Sequence, residues 1–116
     1  MDYEKLIKKE FKFLKKYGFK TYNYTMNFEI EFIFSKGNIS VGINFVEYNN
    51  NQTVGCGVTV AGKSENLLHN TIFAAEKTRA LKERILHNSL SAEEQIKAYA
   101  QFIAQNIDKL LAPRLL

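Results

Sequence analysis

Two glutamates separated by one residue, Glu29 and Glu31, have the spacing in this sequence that best suits acid–base chemistry. On a β-strand their Cα atoms would lie about 7 Å apart, which overlaps the range that paired-carboxylate glycosidases use. No second catalytic motif accompanies them, and a chain of 116 residues leaves little room for a deep cleft. We therefore interpret both side chains as solvated carboxylates and expect a protein that is not an enzyme and has no catalytic residues.

The cysteine and the two histidines offer no stronger chemistry. Cys56 alternates with valines, which indicates a small buried hydrophobic side chain and not a nucleophile. We expect His69 to be half buried on a helix and His87 to lie at a helix end. One cysteine and two histidines fall short of the four ligands of a structural zinc site. Residues 62–64 end like a phosphate-binding loop but lack its upstream glycine, so we expect no metal and no cofactor.

The composition indicates one globular domain, with 46% hydrophobic residues, 24% charged residues and a single cysteine. These values exclude an intrinsically disordered chain and a disulfide scaffold. The first residues do not resemble a secretion signal, and no apolar run reaches the roughly 18 residues of a membrane span. We therefore expect a single α+β domain over residues 1–116, located in the cytoplasm and without membrane contact.

Hydrophobic periodicity predicts a helix over residues 2–17, which Gly18 ends. The period then changes to two, with an apolar or aromatic residue at every even position from Tyr22 to Phe34. This alternating run predicts either one long bent strand or two strands that break near residues 25–27. Its even positions are expected to share one buried face.

Two further strands follow, over residues 39–46 and 54–61, each alternating between apolar residues and small or polar ones. Short polar turns join the strands, which predicts an antiparallel meander of three to four strands that ends at residues 61–64. Each strand has one apolar face, so helices must cover one side of the sheet.

Two helical regions are predicted in the C-terminal half. Residues 64–88 favour a helix in one or two pieces that Ser64 could cap, although residues 71–74 could instead form a short strand. The last helix begins at the capping box of Ser91 and continues to Pro113, which ends it. The expected fold is therefore α+β, with an N-terminal helix, the meander, and C-terminal helices packed on one face of the sheet.

The uncovered face of this sheet is the predicted docking surface. Strand parity places three glycines there, one of them Gly42, beside two carboxylates and polar side chains. The candidate partner-binding residues are Glu29, Glu31, Asn44, Gly55, Gly57 and Thr59. Glycines within strands often mark the close approach of a ligand or of another backbone. The alternatives are a solvated face whose glycines ease the twist of the sheet, or a face covered by the helix of residues 64–88.

The net charge of +4 is unevenly distributed. The outer face of the first helix carries what we call the lysine surface, formed by Lys5, Lys8, Lys9, Lys12 and Lys16. Residues 21–62, which include the predicted sheet, carry three glutamates and one lysine. A basic helix can bind nucleic acid, but such proteins usually add arginines and exposed aromatic residues among the lysines. We therefore do not expect nucleic acid to be the main partner.

Residues 90–96, 99–103 and 106–111 resemble the closing helix of small bacterial immunity proteins of toxin systems, and residues 14–19 resemble the end of their opening helix. The shared motifs are a capping box and an amphipathic stripe, and they include no catalytic residue. The resemblance implies a non-enzymatic protein that acts by binding. Immunity proteins against nucleases are often acidic whereas this chain is basic, so the implied target is something other than a basic nuclease.

We therefore hypothesise an inhibitor- or immunity-like protein that docks on a protein partner, such as a toxin or another effector, and occludes it. A strand edge could also pair with a second copy, which would give a homodimer. The first rival function is a nucleic-acid-associated module that uses the lysine surface. The second is a small-molecule binder with a pocket between sheet and helices, lined by Tyr22, Tyr24 and Cys56.

Overall fold

A computed structural model describes residues 1–112, which form one antiparallel sheet and a layer of helices. Pro113, predicted to end the last helix, lies outside the described residues. The strands are β1 Lys20–Met26, β2 Glu29–Lys36, β3 Ile39–Tyr48, β4 Asn51–Val60 and β5 Lys63–Asn66. The α-helices are α1 Tyr3–Glu10, α2 Ala75–His87, α3 Ala92–Gln105 and α4 Ile107–Leu111, and two 3₁₀ helices span Lys12–Tyr17 and Leu67–His69.

The five strands pair in sequence order, and every neighbouring pair is antiparallel. The α+β class and the meander are therefore confirmed, with five strands where three to four were predicted. Two turns determine this number: the first selects the predicted two-strand alternative for the alternating run, and the second adds a strand that was not predicted. A two-residue turn at 27–28 divides the alternating run, and Ala61 and Gly62, at φ 52° and 83°, turn the chain back into β5.

The turn at residues 27–28 reverses the parity of the alternating run. Met26 pairs with Glu29, so the even positions of β1 share a face with the odd positions of β2. Directly opposed residues of an antiparallel pair point to the same side of the sheet. The prediction that all even positions share one buried face is therefore wrong, because Phe32 is buried whereas every residue of β1 is exposed.

Helices cover one side of the sheet, which we call the covered face. Tyr3 stacks on Phe45 with ring centroids 4.0 Å apart, and Phe11 stacks on Phe34 at 5.6 Å. α3 lies beside α1 and against β4, so the core closes between these two helices and the sheet. The predicted packing of the first and last helices on the apolar side of the sheet is thus observed.

The first helix is divided, although a continuous helix is predicted over residues 2–17. α1 ends at Glu10, and the chain continues after Phe11 as a 3₁₀ helix, which Gly18 ends at φ 89°. In a 3₁₀ helix, residues three apart lie on the same side. The tighter winding accompanies complete burial of both Phe11 and Leu14, which are three residues apart.

Residues 64–88 contain a strand and a 3₁₀ helix before any α-helix, so the prediction of a helix capped by Ser64 is wrong. Ser64 lies in β5, where its hydroxyl oxygen is 2.8 Å from that of Thr59 on β4. This strand pair continues the meander beyond the point at which the sheet was expected to end. α2 begins only at Ala75.

The loop between the second 3₁₀ helix and α2 is neither the helix nor the short strand that residues 71–74 suggested. Glu65 organises it by accepting hydrogen bonds from the Thr71 hydroxyl at 2.8 Å and from the Thr71 backbone N–H at 2.9 Å. These bonds, with a smaller contribution from the Lys63 ammonium, hold the pKa of the Glu65 carboxyl below its usual range.

The capping box predicted at the start of the last long helix is confirmed. The Ser91 hydroxyl accepts from the backbone N–H of Glu94 at 3.1 Å, and the Glu94 carboxylate accepts from the backbone N–H of Ser91 at 3.1 Å. The helix ends earlier than predicted, because Asn106 adopts φ −121° and donates its side-chain amide to the Phe102 carbonyl oxygen at 2.8 Å. α4 follows as a separate short helix.

Candidate functional site

The side of the sheet away from α1 and α3 is the open face. Cross-strand pairing assembles it in rows, because directly opposed residues point to the same side. The two central rows are Tyr22, Ile33, Gly42, Gly57, Asn66 and Tyr24, Glu31, Asn44, Gly55. The two outer rows are Lys20, Ser35, Ser40, Thr59, Ser64 and Met26, Glu29, Val46, Thr53. All six candidate partner-binding residues therefore lie on this face.

The middle of the open face is a shallow hollow of about 460 Å³. Its lining residues come from strands β2 to β5, and none comes from a helix. The alternative in which a helix over residues 64–88 covers this face is therefore wrong. Glu31, Asn44, Gly55, Gly57 and Thr59 line the hollow, whereas Glu29 lies on the face beside it.

Three glycines form the floor of the hollow, and each has different surroundings. A Cβ atom added at Gly42 would meet no atom within 4 Å. At Gly57 it would lie 3.0 Å from the carbonyl oxygen of Glu65, because the β5 backbone comes over the open face there. At Gly55 it would lie 2.5 Å from Asn44 Oδ1, whose side chain occupies the space that the glycine leaves. Gly55 and Gly57 thus permit close approach, whereas Gly42 leaves the floor open.

Large apolar side chains border the hollow on the β1 side. Tyr22, Tyr24 and Met26 are 50%, 52% and 65% exposed. Phe28 and Tyr48 extend this patch at the ends of the hairpins, with their rings edge to face and centroids 5.2 Å apart. We call these five residues the apolar rim. Sequence parity missed the three β1 members, and the signal that could have located them is the asparagine at position 27, a residue type that favours turns.

Glu29 and Glu31 bring two negative charges to the open face. Within residues 1–112, neither carboxylate has a hydrogen-bond or ion-pair partner. Glu31 lies between Tyr24 and Asn44, which oppose it on the two neighbouring strands. The Thr59 hydroxyl already bonds across the β4–β5 pair, so Glu31 and Asn44 are the better placed of the predicted residues to contact a partner.

The pocket expected between sheet and helices from Tyr22, Tyr24 and Cys56 does not form. Both tyrosines lie on the open face, whereas Cys56 is buried in the core on the covered face. Burial raises the pKa of the Cys56 thiol, so the reactive thiolate is disfavoured and the side chain acts as a small hydrophobic group. Burial, with a smaller contribution from Cys56, raises the pKa of Tyr99 in α3 to about 12.

The other side chains considered for chemistry lie apart from the open face. His69 and His87 are both exposed, at the ends of the second 3₁₀ helix and of α2, so the half-buried position expected for His69 is wrong. Among the described residues, no three histidine, cysteine, aspartate or glutamate side chains gather closely enough to hold a metal ion. None of the helices in residues 1–112 combines the length and the apolarity needed to cross a membrane.

The lysine surface lies on α1 and the 3₁₀ helix that follows it, and all five of its lysines are exposed. Lys5 lies three and four residues before Lys8 and Lys9, and Lys12 lies four and three residues after them, which keeps the four lysines on one side of a helix. The Lys8 ammonium lies 3.8 Å from the Glu4 carboxylate, so part of this positive charge is compensated. Because α1 packs on the covered face, these charges are separated from the open face by the core.

No protein-family model matches the chain, and no curated protein or solved structure matches it either. The resemblance of the terminal helices to immunity proteins therefore stays a prediction. The fold is a five-stranded antiparallel meander with helices on one side and an open face on the other. The geometry of the open face supplies the argument for function.

Proposed function

We propose that the chain is a non-catalytic binding protein, inhibitor- or immunity-like in its action, that docks a protein partner on its open face. The observation that carries this proposal is the hollow of about 460 Å³ together with the five exposed side chains of the apolar rim beside it. Monomeric proteins rarely expose a large contiguous apolar patch unless another molecule covers it. Tyrosine, phenylalanine and methionine are also enriched at the centres of protein interfaces.

Docking of this kind works by steric occlusion. The hollow would accept a side chain that protrudes from the partner, and the apolar rim would bury around it. The core lies on the covered face, so occupation of the open face requires no change in the fold. The surface that a toxin or another effector presents to the open face would then be inaccessible to that effector's own target. We place this binding in the cytoplasm, a setting with which the free, buried thiol of Cys56 is compatible.

The test is affinity capture from cells of the source organism, with the wild-type chain and two leucine variants as baits. Gly42→Leu fills the hollow from a position where an added Cβ meets nothing, so we expect the fold to be retained. Lys9→Leu introduces the same side chain on the lysine surface and is the matched control. We expect a partner that the wild type and Lys9→Leu capture and that Gly42→Leu loses. Equal capture by all three, or no captured protein, would contradict the proposal.

Nucleic-acid binding through the lysine surface is the second candidate, and the exposure of all five lysines favours it. Fluorescence anisotropy with a labelled DNA duplex measures it directly. Replacing Lys5, Lys9 and Lys12 with glutamate should abolish any binding, because the phosphate contacts would become repulsive. Binding that survives this triple substitution eliminates the lysine surface as a DNA site.

Pairing of a strand edge with a second copy is a further mode of binding. β1 is an edge strand, and all seven of its residues are exposed. An edge strand presents backbone N–H and C=O groups that can pair with another strand. Sedimentation equilibrium over a hundredfold range of concentration measures such a homodimer, and a monomer throughout the range would contradict it.

A further inference from the structure

The two carboxylates of the open face differ from several other acidic groups of this fold, which have a hydrogen-bond or ion-pair partner. Glu4 lies near Lys8, and Glu65 is held by Thr71, whereas Glu29 and Glu31 have no such partner within residues 1–112. Both are only partly exposed, since they lie on β2, which has a neighbouring strand on each side. Any partner that covers the open face must therefore also cover these two charges.

Covering them with a neutral surface would be unfavourable. An ionised carboxylate that loses its water without gaining a partner is strongly disfavoured, because no opposite charge compensates the lost solvation. Among residues 1–112, strand pairing places one cation on the open face, Lys20, which lies opposite Ser35. Ser35 is four residues along β2 from Glu31, about 13 Å at the usual rise of a strand. The compensating positive charge must therefore come from the partner.

We infer that the partner occupies the open face with an arginine-bearing polypeptide segment, whose guanidinium groups pair with Glu29 and Glu31. This inference rests on the docking function proposed above and specifies its chemistry. Arginine fits better than lysine, because its planar guanidinium can form two parallel hydrogen bonds to a carboxylate and stack on an aromatic ring. Glu31 provides the carboxylate, and Tyr24, which directly opposes it, provides the ring.

The net charge of the chain does not argue against a basic segment. The excess of lysine lies on the helix side, beyond the core, whereas the open face carries two glutamates against Lys20. At physiological ionic strength, charges more than about 8 Å apart through solvent are largely screened. Recognition at the open face therefore depends on its local charge, which is negative. From the residues that the structure describes, the open face of a second copy would bring its own Lys20 together with two more carboxylates.

The experiment is selection of a random nine-residue display library on the wild-type chain, followed by affinity measurements with synthetic peptides. We expect the selected peptides to be enriched in arginine. Glu29→Gln/Glu31→Gln should weaken their binding tenfold or more, since charged hydrogen bonds are lost while the shape of the face is kept. Glu76→Gln/Glu83→Gln removes the same charge from α2 and is the matched control, for which we expect no change. Replacing the peptide's arginine with lysine should weaken binding severalfold.

The outcomes separate this inference from the docking function on which it rests. Peptides that Gly42→Leu loses but that lack basic residues, or that bind the glutamine variant equally, would overturn the arginine inference and leave docking on the open face intact. Selection of no peptide sensitive to Gly42→Leu would overturn both. Self-association of the wild type that the glutamine variant abolishes would assign the face to a second copy, which also overturns the inference.

Discussion

The two faces of one sheet use the same strands in different ways. On the covered face, Phe32 and Ile43 are at most 1% exposed and belong to the core beneath the helices. Their sequence neighbours Ile33 and Gly42 point to the open face and remain partly exposed. The backbone hydrogen bonds of the strands serve both faces alike, so the difference lies in the side chains. The covered face therefore contributes most of the buried apolar surface that stabilises the fold, and the open face contributes little.

The largest expected difference in stability between the two faces is between two neighbouring residues of β2, Phe32 and Ile33. Phe32→Ala removes a fully buried ring whose centroid lies 6.2 Å from that of Phe34, and we expect the free energy of unfolding to fall by about 3–5 kcal/mol. Ile33→Ala truncates a partly exposed side chain, and we expect a fall of about 1 kcal/mol. Urea unfolding followed by circular dichroism measures both values.

A milder pair of substitutions tests the same difference in case Phe32→Ala does not fold. Phe32→Leu keeps much of the buried volume, and Ile33→Val removes one methylene from the other face. In both pairs, the free energy of unfolding should fall more for the substitution at position 32 than for the one at position 33. Equal losses at positions 32 and 33, or the larger loss at 33, would contradict the assignment of the two faces.

The second effect is a loss of stability at alkaline pH that belongs to the covered side. The pKa of Tyr99 is raised to about 12 in the folded protein, whereas a free tyrosine titrates near 10, so folding favours the neutral phenol. Its contribution is fully present below about pH 10 and is lost as the pH rises toward 12, a change of about 2 kcal/mol. Burial also raises the pKa of Cys56, so Cys56→Ala is the reference background.

Unfolding in urea at pH 9, 10, 11 and 12 measures this dependence. We expect Cys56→Ala to lose stability across the upper part of the range and Cys56→Ala/Tyr99→Phe to lose clearly less, because phenylalanine has no proton to release. Parallel pH profiles for the two variants would show that Tyr99 is not held neutral by its surroundings, and that water reaches the covered side of the sheet.

Sequence patterns predict the covered face because it depends on periodicity within single elements. The alternation of Val41 and Ile43 in β3, opposite Val58 and Cys56 in β4, places the same residues in the core in both sequence and structure. The capping box at Ser91 is equally local. Features of this kind need only the residues on either side, so they can be recognised without knowledge of the tertiary structure.

The open face could be predicted only in part, because it depends on how strands pair across turns. Alternation within β3 and β4 correctly placed Asn44 and Gly57 on it. The β1 tyrosines were misplaced, since one two-residue turn exchanges the faces of every residue before it. β5 was missed for a different reason. Its hairpin needs Ala61 at φ 52°, a conformation that alanine rarely adopts and that no sequence rule favours.

The smallest effect, and the one that separates two interpretations of the glycines, is at Gly42 and Gly57, which oppose each other on the open face. If both glycines only eased the twist of the sheet, alanine should shift stability in the same direction at both. The structure distinguishes them: an added Cβ meets nothing at Gly42 but lies 3.0 Å from the Glu65 carbonyl oxygen at Gly57.

We expect Gly42→Ala to stabilise the protein by about 0.5–1 kcal/mol, because alanine loses less backbone entropy than glycine. We expect Gly57→Ala to destabilise it by about 1 kcal/mol, since the β5 backbone must move. Thermal unfolding measures both as opposite shifts in Tm of a few degrees. Shifts of the same sign would mean that β5 does not come over the hollow and that the glycines act on the sheet alone.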